Sequence, residues 1–246
     1  MRYKISIEYN GTPFHGWQKQ DNLPTVQGSI ENVLTKIAKS PTELFCAGRT
    51  DTGVHAIEQV AHFDMERDFS PWQLQQALNF HLMHSGISIF NVENLGENST
   101  FHARFSAVSR EYIYKVLNRD YPPTFAKDLF WWIPQKLNVA AMQQAANFLV
   151  GTHDFSSFRA TGCQANSPIR SIDSINFSVD GDVISMHIVA PSFLYHMVRN
   201  IMGTLCLVGR EKINPLEVKN ILEATDRTKA GATAPAHGLY FYRVNY

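Results

Sequence analysis

Apolar and polar side chains alternate at the start of the chain, from Arg2 to Tyr9. A period of two residues predicts a half-buried β-strand. After a loop rich in Gly and Pro, the apolar spacing changes to three or four residues, and Thr25 stands where a helix N-cap is expected. This second segment is therefore predicted to be a helix, with an apolar side formed by Val26, Ile30, Val33, Leu34 and Ile37.

Two short strands, a helix and a last strand complete the first half of the chain. Leu44–Ala47 and Ile57–Phe63 are rich in β-forming residues, and a loop bounded by glycines separates them. Ser70-Pro71 is typical of an N-cap followed by the first helical position, and the strand Ile87–Val92 comes after that helix. The predicted order βαββαβ is that of a ferredoxin-type unit.

The second half contains the same kinds of elements. Gly151 and Gly209 end two predicted helices, and Asp180-Gly181 is a turn signal between two predicted strands. The predicted strands are Glu111–Leu117, Ser171–Val179, Val183–Val189 and Gly238–Val244, and the predicted helices are Asn138–Leu149, Phe193–Val208 and a helix from the Asn214-Pro215 cap to Ala224.

Together these patterns predict an α+β fold made of two ferredoxin-like, RRM-like halves with largely antiparallel sheets. We place the boundary near residue 105, which gives an N-terminal α+β domain of residues 1–105 and a C-terminal α+β domain of residues 106–246. No flexible linker is visible there, so we expect the sheets to be continuous, and the second domain to complete an active-site cleft that lies between the halves.

Composition indicates a well-packed globular protein. The chain has 246 residues, of which 44% are apolar and 12% aromatic, so it has room for one large or two ordinary domains. It has no apolar run of about 18 residues and no charged-then-apolar start, so we expect a soluble cytoplasmic protein that binds no membrane. Three cysteines without C-x-x-C spacing predict free thiols.

The net charge of +0 gives no sign of nucleic-acid binding by itself. The distribution of charge is less even. Residues 1–105 carry 8 basic and 11 acidic side chains, whereas residues 106–246 carry 14 basic and 11 acidic ones. This difference permits RNA binding by the second half without arguing for it.

The loop between the two short strands holds an aspartate in a restricted position. Gly48 and Gly53 bracket Asp51, and a carboxylate in so short a loop has the fixed direction that a nucleophile or general base needs. A lone Asp between strands more often satisfies backbone N–H groups of its own turn. Arg49 and His55 favour the catalytic interpretation, because a structural turn needs neither a guanidinium that can lower a carboxyl pKa or bind phosphate nor a titratable imidazole.

A second candidate is Arg199, a charged residue in the otherwise apolar helix predicted over Phe193–Val208. A buried arginine without a carboxylate costs about 3–5 kcal/mol. Arg199 therefore either faces solvent, pairs with a structural acid, or meets a carboxylate such as Asp51. The polar stripe that it shares by helical spacing consists of His196, Arg199, Asn200 and Gly203.

Residues 48–56 closely resemble the catalytic loop of the bacterial tRNA pseudouridine synthase A family, which usually reads Gly-Arg-Thr-Asp-Ala-Gly-Val-His. Thr52 is the only departure within it. Other motifs of the family occur before and after this loop, in the same order as in the family, so the resemblance covers nearly the whole chain. They are Tyr9-Asn10-Gly11, Gly16-Trp17-Gln18, Phe101–Ala107, Arg110–Tyr114, Asp154–Arg159, His196–Ile201 and Gly238–Tyr240.

The resemblance implies an isomerase that converts uridine to pseudouridine at positions 38, 39 and 40 in the anticodon stem-loop of tRNA, acting on a flipped-out base. It implies three catalytic residues: Asp51 as nucleophile or base, Arg199 as its ion-pair partner, and Tyr112 as the ring that stacks on uracil. We expect substrate-binding roles for Tyr112, Arg49, Arg110 and His55.

The reaction is redox-neutral, so no cofactor and no metal are expected, and the histidines show no further ligands at suggestive spacing. The resemblance also implies a homodimer, and pooling two chains doubles the basic surface that a tRNA can meet.

Two alternatives remain open on the residues alone. Asp51-Thr52-Gly53 matches the D-T-G tripeptide of aspartic hydrolases, but no second D-T-G or D-S-G supplies the other carboxylate that their mechanism needs. A non-catalytic RNA-binding protein is the other alternative, because ferredoxin-like halves with surface aromatics are a common RNA-binding design, although the RNP1 pattern is absent.

Overall fold

The alternating segment at the start of the chain forms the strand β1 (Arg2–Tyr9), in a computed structural model that describes residues 1–246. β1 pairs in antiparallel fashion with β3 (His55–Asp64) and with β4 (Ile87–Gly96). β2 (Phe45–Cys46) pairs with β3, also antiparallel. β3 therefore lies between β1 and β2, as the ferredoxin-type prediction requires.

Two helices follow the predicted caps. α1 (Val26–Ala38) begins where the Thr25 side chain accepts the N–H of Gly28, and α2 (Pro71–Leu82) begins where Ser70 accepts the N–H of Gln73. The residues buried by each helix recur at three- and four-residue spacing, and each leucine removed from water contributes about 1.5–3 kcal/mol. The fully buried apolar residues of these helices are Val26, Ile30, Leu34, Leu74 and Leu78.

The residues divide into two units. Unit 1 comprises Met1–Val108 and Phe241–Tyr246, and unit 2 comprises Ser109–Tyr240. The end of the last strand, β11 (Leu239–Asn245), thus belongs to unit 1 although it follows unit 2 in sequence. Two contacts show why: the Phe241 ring lies over Gly48, and Arg243 Nε is 3.7 Å from a carboxylate oxygen of Glu58.

Unit 2 contains a mainly antiparallel set of strands. β10 (Val183–Ala190) pairs with β5 (Ser109–Asn118) on one side and with β9 (Ser174–Asp180) on the other. The short β6 (Trp131–Ile133), which the sequence pattern did not reveal, joins β5 in parallel. β7 (Gly151–Asp154) and β8 (Ile169–Ile172) form a separate antiparallel pair.

The predicted strand Ser171–Val179 is wrong as a single element. The chain breaks at Asp173, whose N–H donates to the Val189 carbonyl at 2.8 Å. The residues before this break pair with β7, and the residues after it pair with β10. The Asp180-Gly181 turn is found as predicted, with Gly181 in the left-handed region at φ 55°.

Three helices complete unit 2. α3 (Val139–Asn147) and α5 (Pro215–Glu223) begin after the side-chain caps Asn138 and Asn214, and α3 packs against both α5 and α4 (Met197–Gly209). α3 ends two residues earlier than predicted. Five helices with largely antiparallel strands confirm the α+β fold class. None of the helices has the length and apolar character needed to span a membrane.

Candidate active site

The predicted catalytic loop lies in unit 1 and connects β2 to β3. Its turn is closed by the N–H of Val54, which donates to the Asp51 carbonyl at 3.1 Å. Gly53 has φ 78°, in the region that glycine adopts without strain. Asp51 is half-buried, whereas Arg49 is exposed. The bracketing glycines thus have the structural role that the sequence predicted.

The backbone around Asp51 is held by the segment that follows β1. The N–H of Trp17 donates to the Thr50 carbonyl at 3.0 Å, and the Tyr9 hydroxyl shares a hydrogen bond of 2.7 Å with the Thr50 hydroxyl. Both Tyr9 and Thr50 are buried. Thr50, the residue directly before Asp51, is therefore fixed at its side chain and at its carbonyl, which restricts the direction of the carboxylate.

Two glycines allow this segment to lie directly against the loop. Gly16 has φ 87°, and a Cβ there would lie 2.8 Å from the Thr50 carbonyl oxygen. A Cβ at Gly11 would overlap the Val54 carbonyl oxygen. Backbone therefore packs on backbone at both ends of the turn. Close approach requires glycine at both positions, and at Gly16 the left-handed backbone conformation favours it as well.

His55 belongs to the same buried framework. Its side chain is 1% exposed, and its Nδ1 accepts the N–H of Gly11 at 3.0 Å. Gln59, also on β3, donates to the Gly48 carbonyl at 2.6 Å. The structure therefore places His55 inside unit 1, where it ties the end of the loop to Gly11.

Two of the three cysteines are poor nucleophiles, Cys46 at the end of β2 and Cys206 in α4. Burial raises the pKa of the Cys46 thiol to about 12 and that of the Cys206 thiol to about 12. Both remain protonated at neutral pH, and the thiolate is the reactive form. Asp51 is therefore a better candidate for the nucleophile than Cys46, whose thiol stays protonated.

The other predicted residues lie in unit 2. Tyr112 is half-buried on β5, and its ring meets Phe193 edge-on, with centroids 5.1 Å apart and planes at 87°. Arg110, two residues earlier, donates from Nη1 to the Pro191 carbonyl at 2.7 Å. Tyr114 is fully buried, and its hydroxyl donates to the Pro235 carbonyl at 2.6 Å, which makes it a structural residue.

The helix that carries Arg199 begins later than predicted. α4 starts at Met197, and His196 before it has φ 58°, so Phe193–His196 is not helical. The apolar composition of those residues was misleading, since it reflects burial of Leu194 rather than a helical turn. Arg199 itself is half-buried and donates from Nε to the Ala234 carbonyl at 2.8 Å.

The polar stripe of α4 faces protein rather than solvent. Asn200 is fully buried, donates to the Phe158 carbonyl at 2.8 Å, and accepts from Arg227 at 3.0 Å and from Thr233 at 2.6 Å. A Cβ at Gly203 would overlap the Ala232 carbonyl oxygen.

The segment 227–234, which contacts Asn200 and Gly203 of this stripe, was not predicted from the sequence. One signal for this contact was present in the sequence: Thr204 is a further polar residue one turn after Asn200 in the apolar helix. In the structure the Thr204 hydroxyl accepts the N–H of Gly231 at 2.9 Å.

The structure thus groups the predicted residues by unit. Unit 1 brings Arg49, Asp51 and His55 together on one loop. The predicted residues of unit 2 are Arg110, Tyr112 and Arg199. No group of three or more His, Cys, Asp or Glu side chains is arranged to hold a metal ion.

A sequence model of the tRNA pseudouridine synthase family matches residues 5–106 and 145–246. The chain belongs to this family. The matched residues include Arg49, Asp51, His55 and Arg199, whereas Arg110 and Tyr112 lie between the two matched segments. Members of the family isomerise uridine to pseudouridine in tRNA, so the protein is an isomerase. The family does not favour the two alternatives, a non-catalytic RNA-binding protein and an aspartic hydrolase.

Two curated relatives agree with this assignment. Both are named tRNA pseudouridine synthase A. The protein from Ehrlichia chaffeensis is 46% identical over 247 residues, with all of both chains covered. The protein from Paramagnetospirillum magneticum is 46% identical over 245 residues, covering 100% of this chain and 95% of its own.

A solved structure is also similar, although distantly. The crystal structure of a Cbf5-Nop10-Gar1 complex matches 97% of this chain at 12% identity and a TM-score of 0.40. This chain covers 48% of that one, and a likeness at this level supports no conclusion about function.

Proposed function

We propose that this protein converts uridine to pseudouridine at positions 38, 39 and 40 in the anticodon stem-loop of tRNA, with Asp51 as the catalytic residue. The observation that supports the proposal most strongly is that hydrogen bonds fix the backbone of the loop that carries Asp51. In a chain of the tRNA pseudouridine synthase family, one half-buried carboxylate stands on a loop that is fixed by Tyr9, Gly11 and Trp17. An aspartate that only contacts solvent does not require a fixed side-chain direction, whereas a catalytic carboxylate does.

The reaction balances without a cofactor. The bond between uracil N1 and the ribose C1′ breaks, the base turns, and a bond forms between uracil C5 and C1′; C5 loses a proton and N1 gains one. Asp51 starts this sequence as nucleophile or as base. The target nucleotide must first leave the stack, which costs a few kcal/mol.

The remaining residues take part in binding the substrate and in catalysis. Tyr112 supplies an aromatic face for the flipped uracil, since stacking of a base contributes about 1–3 kcal/mol. Arg199 is a catalytic cation, and Arg49 and Arg110 contact the RNA backbone. His55 acts on the substrate indirectly, because its buried ring holds the loop to Gly11.

The proposal extends to the organisation of the protein. The domain of residues 1–105 carries the catalytic loop, and the domain of residues 106–246 supplies Arg110, Tyr112 and Arg199. The protein acts in the cytoplasm as a homodimer. One chain has 22 basic residues, which are few for the length of a folded tRNA, and two chains double the basic surface. Sedimentation at the working concentration checks this, and a fully active monomer would contradict it.

The test is mass-resolved mapping of pseudouridine in tRNA treated with the protein. We expect modification at positions 38 to 40 by the wild type and none by Asp51→Asn, which keeps the side-chain shape and removes the negative charge. Asp21→Asn, a change of an exposed aspartate in the same unit, is the matched control and should stay active. Modification elsewhere, or Asp51→Asn activity within tenfold of the wild type, would refute the proposal.

A further inference from the structure

An exposed aromatic and basic surface lies on unit 1, outside the Asp51 loop. It is formed by Phe45, His102, Arg104 and Phe105, and we call it the Phe105 patch. The Phe105 side chain is 75% exposed and that of Phe45 is 38% exposed, and Arg104 is also exposed. Large apolar rings left in water at one place are a sign of a binding surface.

The turn that presents Phe105 is tightly built. His102 Nδ1 accepts the N–H groups of Arg104 at 3.1 Å and of Phe105 at 3.4 Å. Ser106 closes the turn in both directions, because its N–H donates to the His102 carbonyl at 2.9 Å and its hydroxyl accepts the His102 N–H at 3.0 Å. The side chains of Arg104 and Phe105 are therefore held outward by a fixed backbone.

A buried histidine anchors this turn to the sheet. His62 on β3 is 2% exposed, and its Nδ1 accepts the N–H of Ala103 at 3.2 Å. Burial lowers the pKa of His62 to about 4, so the ring is neutral and keeps its acceptor at physiological pH. The turn is consequently part of the folded framework of unit 1.

The rings of the patch contact one another directly, with Phe45 and His102 centroids 5.8 Å apart, and also through the buried His62 ring. Phe45 stacks on His62 with centroids 5.2 Å apart, His62 contacts His102 at 4.6 Å, and His102 contacts Phe105 at 4.4 Å. Phe45 and His62 are also paired across β2 and β3, the strands that carry the Asp51 loop. The patch thus starts on the same hairpin as the catalytic loop.

Positive charge accompanies the aromatic rings. The Arg104 guanidinium carbon lies 5.6 Å from the centre of the Phe105 ring. Burial raises the pKa of the Cys46 thiol, and the positive charges of Arg49 and Arg104 both oppose that rise, so both guanidinium groups are near enough to Cys46 to act on its charge. An exposed ring beside arginines is the pattern of proteins that bind single-stranded nucleic acid, where bases stack and phosphates are neutralised.

The distance from the catalytic loop identifies which part of the substrate is involved. His62, which contacts Phe45 and His102, and His55, which follows the Asp51 loop, are seven residues apart on β3, which at about 3.3 Å per residue is about 23 Å. Two positions so far apart contact different bases, and both can contact one short stretch of RNA.

We propose that the Phe105 patch binds an unpaired nucleotide of the substrate RNA other than the target uridine, with its base stacked on Phe105 and its phosphate held by Arg104. This inference rests on the proposed function. The occupant is RNA rather than an apolar protein surface, because the Arg104 guanidinium beside the exposed ring suits a phosphate and not an apolar side chain.

The experiment measures binding of a fluorescent anticodon stem-loop RNA by anisotropy, beside pseudouridine formation. We expect Phe105→Ala to weaken binding about tenfold, and Phe105→Trp to restore it. Phe80→Ala is the matched control, because Phe80 is 69% exposed and contacts a histidine ring in the same unit. Its binding should equal that of the wild type.

The arginine is tested through the salt dependence of binding. Loss of one phosphate contact should lower the slope of log K against log salt by about 0.7–0.9 in Arg104→Ala. Arg67→Ala is the control, because Arg67 lies 4.8 Å from the Phe69 ring and is also exposed. An unchanged slope in Arg104→Ala would overturn its assignment to a phosphate.

Three outcomes separate this proposal from the previous one. Phe105→Ala binding within twofold of the Phe80→Ala control would overturn the patch, even if the wild type forms pseudouridine. A change in oligomeric state without a change in RNA affinity would overturn it in favour of a second copy of the chain. RNA binding that depends on Phe105 in a protein that forms no pseudouridine would support the patch and refute the proposed function.

Discussion

Replacement of Tyr9 by phenylalanine tests whether the hydrogen bond between the Tyr9 and Thr50 side chains supports catalysis. The substitution removes one oxygen and leaves the ring, so the packing of β1 is retained. It breaks the 2.7 Å hydrogen bond between the Tyr9 and Thr50 hydroxyls. Thr50 precedes Asp51 directly, so the change reaches the Asp51 carboxylate, the proposed catalytic group, through one residue of backbone.

The size of the effect follows from burial. Tyr9 is 3% exposed and Thr50 is 8% exposed, so water does not replace the lost partner freely. Depriving a buried hydroxyl of its partner costs about 1–3 kcal/mol. For a chain of this length, a loss of about 2 kcal/mol lowers Tm by roughly 4–8 °C. A displaced Asp51 should also lower kcat, by up to about 100-fold for a shift of about 1 Å.

The matched control is Tyr3→Phe. Tyr3 lies on the same strand and is fully buried, and its hydroxyl donates to Asp68 at 2.8 Å and accepts the N–H of Phe69 at 2.7 Å, far along the strand from the loop. It should lose stability and keep kcat. Thermal unfolding and steady-state tRNA turnover measure both effects. A kcat in Tyr9→Phe within twofold of that in Tyr3→Phe would refute the reasoning, as would zero coupling with Thr50→Val in a double-mutant cycle.

Three further changes have defined outcomes. Gly16→Ala should lower the free energy of unfolding by about 1–2 kcal/mol, because alanine is strained in the left-handed region. It should also lower kcat, because its Cβ would lie 2.8 Å from the Thr50 carbonyl oxygen. Thermal unfolding and turnover measure the two effects, and unchanged values would contradict the close packing. Burial lowers the pKa of His62 to about 4, below the ordinary value of about 6.5 that the unfolded chain has. The unfolded state therefore binds the proton more tightly, so urea unfolding should show full stability above about pH 6.5 and a decline towards pH 4. Arg199→Lys should keep the fold and lose most turnover, because an ammonium group cannot donate to the Ala234 carbonyl and also offer two parallel N–H donors to another group. Turnover equal to that of the wild type would show that Arg199 is not a catalytic residue.

Local signals predicted the elements whose ends are set locally. The caps Thr25, Ser70, Asn138 and Asn214 each accept the N–H that their position requires, so the starts of four helices were readable from sequence. Where a tertiary contact decides, the pattern was misleading. The break at Asp173 depends on the Val189 carbonyl, which is 16 residues away and belongs to another strand.

The same distinction applies to the Asp51 loop. Its bracketing glycines and its strands were predicted, because they are contiguous in sequence. Its support was not, because Tyr9 and Trp17 reach Thr50 across 41 and 33 residues. The motifs at these positions were recognised only as a resemblance, and the structure supplies their physical reason: a hydroxyl, a backbone N–H and close glycine contacts at the residue before Asp51.

The polar stripe of α4 shows how a charged residue is held in an otherwise apolar helix. From sequence, Arg199 either faces solvent, pairs with a structural acid, or meets a carboxylate such as Asp51. In the structure, its Nε is already engaged by the Ala234 carbonyl, and the N–H of Ala234 returns a bond of 3.2 Å to the Arg199 carbonyl. Asn200, one residue on, secures the same segment through Arg227 and Thr233. Because a guanidinium has donors besides Nε, this arrangement fixes the side chain at one edge and sets the direction of the others. The stripe therefore helps to orient Arg199, through the Ala234 carbonyl and through the segment that Asn200 secures.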